Sequence, residues 1–134
     1  MLDSIRLPEQ LRKQIEDYLE KHLPEEACGI LGGRDGRVEV MLPVRNELQS
    51  PVRFRMNASE QIRAILWLES QGMDLIGIFH SHPSGPEFPS DTDLQEHAYP
   101  ESAAIICSLT NAGWVMRAFS IQEGRAFEIE LVFH

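Results

Sequence analysis

Asp74-Leu75-Ile76-Gly77-Ile78-Phe79-His80-Ser81-His82-Pro83 is the stretch on which the fold turns. From Asp74 to Phe79 it is an almost continuous apolar run of strand length, the pattern of a strand covered on both faces. Residues 83–89, Pro-Ser-Gly-Pro-Glu-Phe-Pro, hold three prolines and a glycine and must form a loop. A buried strand therefore delivers two histidines to the edge of a stiff loop. On its N-terminal side Asn57 begins a helix that runs through Ile62, Ile65, Leu66 and Leu68 to Gly72, with Glu60 completing a capping-box pattern. Residues 45–51 are polar and loop-like, and residues 52–56 are a short strand candidate. Residues 27–33, the turn Arg34-Asp35-Gly36 and residues 38–44 form a predicted hairpin, with Glu26 at the start of its first strand.

The first clear element begins at Pro8, from which Leu11, Ile15, Tyr18, Leu19 and His22 recur at helical spacing as far as Pro24. On the C-terminal side Ser90 begins a short helix. Residues 103–109 are a second buried strand, Asn111-Ala112-Gly113 turns it into residues 114–121, and a last strand alternates Phe127, Ile129 and Leu131 against Glu128 and Glu130. The total is six or seven strands with two or three helices, an α/β arrangement without repeat or composition shift, read as one domain over residues 1–134.

The chain has 134 residues, 43% hydrophobic and 25% charged, and a globular chain of this size buries roughly 65–70% of its unfolded surface. Twelve Lys and Arg against 21 Asp and Glu give a formal charge of −9. That balance argues against a general binder of nucleic acid or anionic membranes, both of which need a basic face. Cys28 and Cys107 stand far apart in apolar surroundings, and no signal peptide or long apolar run is present. The expectation is a cytoplasmic protein with both thiols reduced and buried.

On an extended strand residues i and i+2 share a face, so His80 and His82 can offer two imidazoles to one ion. Asp93 can return from the proline loop with a carboxylate. Two nitrogens and one oxygen leave a fourth tetrahedral position for water, the arrangement of a catalytic zinc site. Each piece also has a plain structural explanation. A His-x-His pair is often a hydrogen-bonded surface feature, and Ser90 with Asp93 makes an acceptable N-cap with an acidic first turn. Among the neighbours, Asp91 is a helix-start residue, His97 either an exposed helix residue or a partner to the site, and Ser81 faces away from the two histidines.

The combination His80-Ser81-His82-Pro83, six residues, Ser90, two residues, Asp93 resembles the H-x-H-P-x6-S-x-x-D pattern of the JAMM (MPN+/Mov34) metallopeptidases. Glu26-Ala27-Cys28-Gly29-Ile30-Leu31-Gly32-Gly33 is similar to that family's E-x-C-G-[ILF]-L-x-G segment. All five polar positions are filled, as in its active members. The resemblance implies an MPN/JAB, cytidine-deaminase-like fold: a single mixed sheet, partly curled, with helices packed on it. It implies that His80, His82 and Asp93 hold one zinc ion per chain. Glu26, chosen over Glu25, would act as general acid and base, and Ser90 would donate to the oxyanion.

The family cuts after the C-terminal glycine of ubiquitin or ubiquitin-like proteins. The short loops at 45–51 and 83–89 make this chain similar to the compact prokaryotic members, which act on sulfur-carrier and small modifier proteins. The implied partner is a ubiquitin-like or sulfur-carrier protein with a Gly-Gly tail, and the implied leaving group is cysteine or a lysine-linked protein. A homodimer is an open alternative. Residues 52–56 are the candidate edge for adding that tail as a strand, with Arg53 and Arg55 facing an acidic partner. Two alternatives remain: the RadC-type proteins associated with DNA repair, which share a similar histidine stretch, and a non-enzymatic MPN binding module. The acidic balance and the Glu-x-Cys-Gly segment speak against the first, and the complete catalytic set against the second.

Overall fold

The structure, a computed structural model, describes residues 2–134. Its elements are β1 (Ser4–Leu7), α1 (Glu9–His22), β2 (Cys28–Arg34), β3 (Arg37–Val44), α2 (Ala58–Ser70), β4 (Asp74–His82), α3 (Asp91–Glu96), β5 (Ala103–Thr110), β6 (Gly113–Gln122) and β7 (Arg125–Phe133). The strands close into a barrel in the order β1-β3-β2-β4-β5-β6-β7, where a partly curled sheet was expected. Closure is made by β1, which lies ahead of the first predicted element. It pairs in parallel with β7 from Ser4↔Glu130 to Leu7↔Phe133 and touches β3 at Arg6↔Arg37. Ile5 and Leu7 are fully buried, each contributing roughly 1.5–3 kcal/mol, which is what holds so short a strand in the gap.

The hairpin forms as expected. Asp35 and Gly36 both have positive φ, 53° and 74°, the backbone of a tight turn that matches strand twist. Its first strand β2 lies antiparallel between β3 and β4, and β4 runs parallel to β5 across the crossover that carries α3. Both faces of the sheet are covered, as the apolar run of β4 requires. On one side α1 sends Ile15 and Leu19 into a core with Ile5, Leu31, Phe79 and Ile105. On the other, Leu68 of α2 joins Cys28, Ile30, Val44 and Met56. An extra residue in β4, at Ile76, shifts its register against β2, the signature of a bulge. No helix among the described residues is long and apolar enough to cross a membrane.

Two further expectations need correction. Residues 52–56 are not an edge strand: the segment makes one isolated bridge, Asn46↔Met56. Its Arg53 carbonyl and Arg55 N–H are bonded to the Asn46 side chain, and the Arg55 carbonyl accepts from Glu47 N–H, so these groups are not open to an added strand. Asn57 does cap α2, accepting from Glu60 N–H at 2.9 Å, but Glu60 Oε1 accepts from Arg45 N–H instead of closing a box. Ile62 and Leu66 of α2 and Phe127 of β7 are more than half exposed.

Candidate metal centre

Strand β4 ends by turning the buried His80 and His82 to one side. Their Nε2 atoms lie 3.0 Å apart, and each is 3.1 Å from Asp93 Oδ2. Asp93 reaches this point from the first turn of α3. There the Ser90 hydroxyl accepts from Asp93 N–H at 3.1 Å, and Asp93 Oδ2 accepts from Ser90 N–H at 2.9 Å, a complete capping box. The His82 Nδ1 atom lies 2.8 Å from the Pro86 carbonyl. A carbonyl only accepts, so Nδ1 carries a proton, and the Nε2 of a neutral His82 presents a lone pair to a carboxylate oxygen.

Two acceptors at 3.1 Å need positive charge between them. A divalent cation supplies it, and a ring N–H bonded to a backbone carbonyl is the usual support of a metal-binding histidine. The same demand shapes protonation. Burial pushes the His80 imidazole below its ordinary value despite the Asp93 carboxylate. In His82 burial acts the same way, but the bonds to Asp93 and Pro86 and the charges of Asp93 and Glu26 outweigh it and raise the group. Burial would raise Asp93, yet its pairing with His80 and His82 and the hydrogen bond from Ser90 N–H hold it well below the usual carboxylate range. Nitrogen and oxygen donors in this number suit zinc.

Glu26 completes the group from the neighbouring strand. Cys28 pairs with His80 in register, so the same antiparallel progression sets Glu26 opposite His82. Ligand atoms of Glu26, His80 and His82 lie within 4.8 Å of one another, and all three residues are buried. Burial raises the Glu26 carboxyl to about 7, with His82 pulling it down and Asp93 adding to the rise. That value suits proton transfer near neutral pH. The Glu26 backbone is clamped by the following loop: its N–H donates to Ser50 O at 2.8 Å, and its carbonyl accepts from Asn46 Nδ2 at 2.9 Å. Glu25 is outside the cluster.

Several residues near the centre have other tasks. Ser81 does face away from the histidines, and its hydroxyl accepts from Ala27 N–H at 2.9 Å while its own N–H donates to Ala27 O. Those bonds tie the Glu26 segment to β4. Asp91 is exposed in the first turn of α3, and His97 ends that helix with Nε2 3.1 Å from Ser102 O. Cys28 Sγ lies 3.2 Å from Val44 O, and burial with nearby Glu26 and Glu60 pushes its thiol up to about 12, which removes it as a nucleophile. Arg53 and Arg55 pair with Glu96 and Glu47 at 3.5 and 3.7 Å. His22 and His134 are exposed.

Two further residues stand at the centre, Asn46 and Phe54. Asn46 is buried and its amide binds four backbone groups, of Glu26, Leu48, Arg53 and Arg55. Phe54 stacks on His80 with ring centroids 4.2 Å apart. An Asn opening a polar loop was the only signal for the former, and none in the sequence pointed to the latter. A cavity of about 200 Å³ adjoins the centre, lined by Phe54, Met56, His80, Asp93, His97 and Tyr99 among others.

The chain is similar to a desampylase of Pyrococcus furiosus, 41% identical over 70 residues, which cover 52% of this chain and 50% of that protein. It is 30% identical over 108 residues to the CysO-cysteine peptidase of Mycobacterium tuberculosis, covering 78% and 74% of the two chains. It is 32% identical over 127 residues to a probable TtuB-protein conjugate cleaving protease of Thermus thermophilus, covering 94% and 80%. The match thus spans only about half of the first of these relatives. Among solved structures, a protein from Desulfitobacterium hafniense superposes with a TM-score of 0.87 at 34% identity, over 97% of this chain and 92% of that one. A JAB1/MPN domain protein from Archaeoglobus fulgidus shares the fold, with a TM-score of 0.62 at 22% identity over 98% and 100% of the two chains. A sequence profile described as prokaryotic homologs of the JAB domain matches residues 8–122, which with this geometry gives the conclusion that the chain belongs to that family.

Proposed function

We propose that the chain is a zinc-dependent metallopeptidase or isopeptidase that hydrolyses the bond after the C-terminal glycine of a ubiquitin-like or sulfur-carrier protein. The observation that carries this reading is the convergence of His80 Nε2, His82 Nε2 and Asp93 Oδ2 at 3.0–3.1 Å beside the buried Glu26 carboxylate. The names of the relatives, a desampylase, a CysO-cysteine peptidase and a TtuB-conjugate protease, support a substrate of this class. His80, His82 and Asp93 would hold zinc, which supplies Lewis acidity and makes water a usable nucleophile near neutral pH.

The protein's own groups do the rest. The Glu26 carboxylate accepts the proton of the attacking water and returns it to the nitrogen of the departing amine. The Ser90 hydroxyl uses its lone pair in the cap and keeps its proton for the oxyanion of the tetrahedral intermediate. No residue forms a covalent bond to the substrate. The cavity beside His80 and Asp93 receives the narrow glycine tail, since residues 52–56 form no edge strand. The described residues act together as one catalytic domain in the cytoplasm.

The test is metal analysis of the purified protein together with hydrolysis of a carrier extended as Gly-Gly-X, followed as mass loss. Wild type should carry about one zinc per chain, and Glu26→Gln should keep the metal and lose turnover. A protein without zinc, or a Glu26→Gln variant of full activity, overturns the reading.

A further inference from the structure

The two imidazoles of the centre are held by different means. His82 is fixed through Nδ1 by the Pro86 carbonyl at 2.8 Å. The hydrogen bonds of His80 to described residues all run through Nε2, toward the centre itself. The second torsion of a histidine is broad and roughly two-fold, so a ring without an outer hydrogen bond can turn Nε2 away unless a face is blocked. One face of His80 is blocked by the Phe54 ring, at 4.2 Å between centroids and 23° between planes. Its other ring contact is edge-on, to His82 at 4.7 Å and 69°.

We propose that Phe54 is a positioning residue for His80, its stacked ring doing for that imidazole what the Pro86 carbonyl does for His82. The proposal rests on His80 being a metal ligand. Phe54 is itself held on both sides. The Arg53 carbonyl accepts from Asn46 Nδ2 at 3.1 Å, and the Arg55 N–H donates to Asn46 Oδ1 at 3.0 Å. The same Nδ2 donates to the Glu26 carbonyl. One buried amide therefore sets the Phe54 ring in place relative to Glu26, and the ring sets His80.

The experiment compares wild type, Phe54→Tyr, Phe54→Leu and Phe54→Met with ¹⁵N-labelled histidine. Variants are read only where their backbone amide spectra match wild type, and the two non-aromatic variants cover for each other should one misfold. In the metal-free protein, wild type and Phe54→Tyr should give one set of His80 ring signals. The non-aromatic variants should broaden or double those signals and leave His82 unchanged. Zinc affinity, measured by competition with a chromophoric chelator, should fall about two- to tenfold in the non-aromatic variants and recover in Phe54→Tyr, as the strength of an aromatic stack implies. Unchanged His80 signals and zinc affinity in a folded non-aromatic variant overturn the proposal. If wild type itself binds no zinc, the metal reading fails separately, and the ring signals alone decide whether Phe54 orients His80.

Discussion

Replacing Glu26 by glutamine should stabilise the metal-stripped protein by an amount that grows with pH. Glu26 is 5% exposed, and burial, opposed by His82 and reinforced by Asp93, raises its carboxyl from 4.5 to about 7. Between those values the folded state keeps a proton that the unfolded chain has released, so stability falls as pH rises. The favourable contribution is complete below about 4.5 and gone above about 7. At ~1.36 kcal/mol for each pH unit, the gap amounts to about 3 kcal/mol. For a chain of this length, with an unfolding entropy of ~2.1 cal/mol/K per residue, that is a Tm difference of about 10 °C. The assay is thermal unfolding of both proteins after chelation, from pH 4.5 to pH 8. His80, His82 and Asp93 are present in both, so the difference between variant and wild type reports Glu26 together with its coupling to His82 and Asp93. The difference should be near zero at the acid end and approach about 10 °C at the other. Adding zinc should shrink it, because a cation beside the carboxylate favours its charged form. A difference that does not change with pH, or that falls, refutes the assignment of a buried, proton-holding Glu26.

Ser90→Ala should lower kcat by ~10²–10³ through loss of the proposed oxyanion donor, and stability by about 1 kcal/mol through loss of the α3 cap, with zinc content unchanged. Steady-state kinetics beside metal analysis checks this, and an unchanged kcat removes the oxyanion role. Asn46→Ala strips partners from the backbone groups of Glu26, Leu48, Arg53 and Arg55 and should cost about 2–4 kcal/mol by denaturant titration. A loss below about 0.5 kcal/mol, the scale of an ordinary surface change, contradicts it. Gly29→Ala would bring a Cβ to 2.5 Å from the Phe79 ring and 2.8 Å from Leu42 O. The ring can give way but the strand carbonyl cannot, so about 1–3 kcal/mol should be lost in the same titration. Burial raises both thiols, that of Cys28 to about 12, so a disulfide reagent at pH 8 should label neither in the native protein and both after unfolding.

What could be read from the sequence was whatever leaves a local period. The apolar run of β4, the turn at Asp35-Gly36 and the spacing of Ile15 and Leu19 each state their structure within a few residues. The two imidazoles on one face follow from strand alternation, and their approach by Asp93 follows from a short loop rich in proline. β1 was missed because four residues cannot display a period, and its burial depends on β3 and β7, which lie far along the chain. Residues 52–56 look like a strand by composition, yet their backbone groups are taken by Asn46 and Glu47. A loop's path depends on such side-chain-to-backbone bonds, so neither Asn46 as an anchor nor Phe54 over His80 could be read from spacing.

Ser90 and Asp93 show why weighing a helix cap against a metal ligand poses a false choice. The oxygen of Asp93 that accepts from Ser90 N–H at 2.9 Å is the one that stands 3.1 Å from both imidazoles. Capping thus selects the side-chain conformation that the centre needs. A free carboxylate on a mobile loop would have to be ordered when the ion arrives, at a cost in side-chain entropy. Here that ordering happens when α3 forms; burial would raise the carboxyl, but His80 and His82, with the Ser90 N–H adding to them, hold it below its usual range, so it is ionised at neutral pH. His82 is prepared in the same way by Pro86, and the Glu26 segment by Ser81 and Asn46. The hydroxyl of Ser90 keeps its donor free because the cap uses only its lone pair. On the proposed reading, a single short motif therefore ends a loop, starts a helix, fixes a ligand and aims a proton.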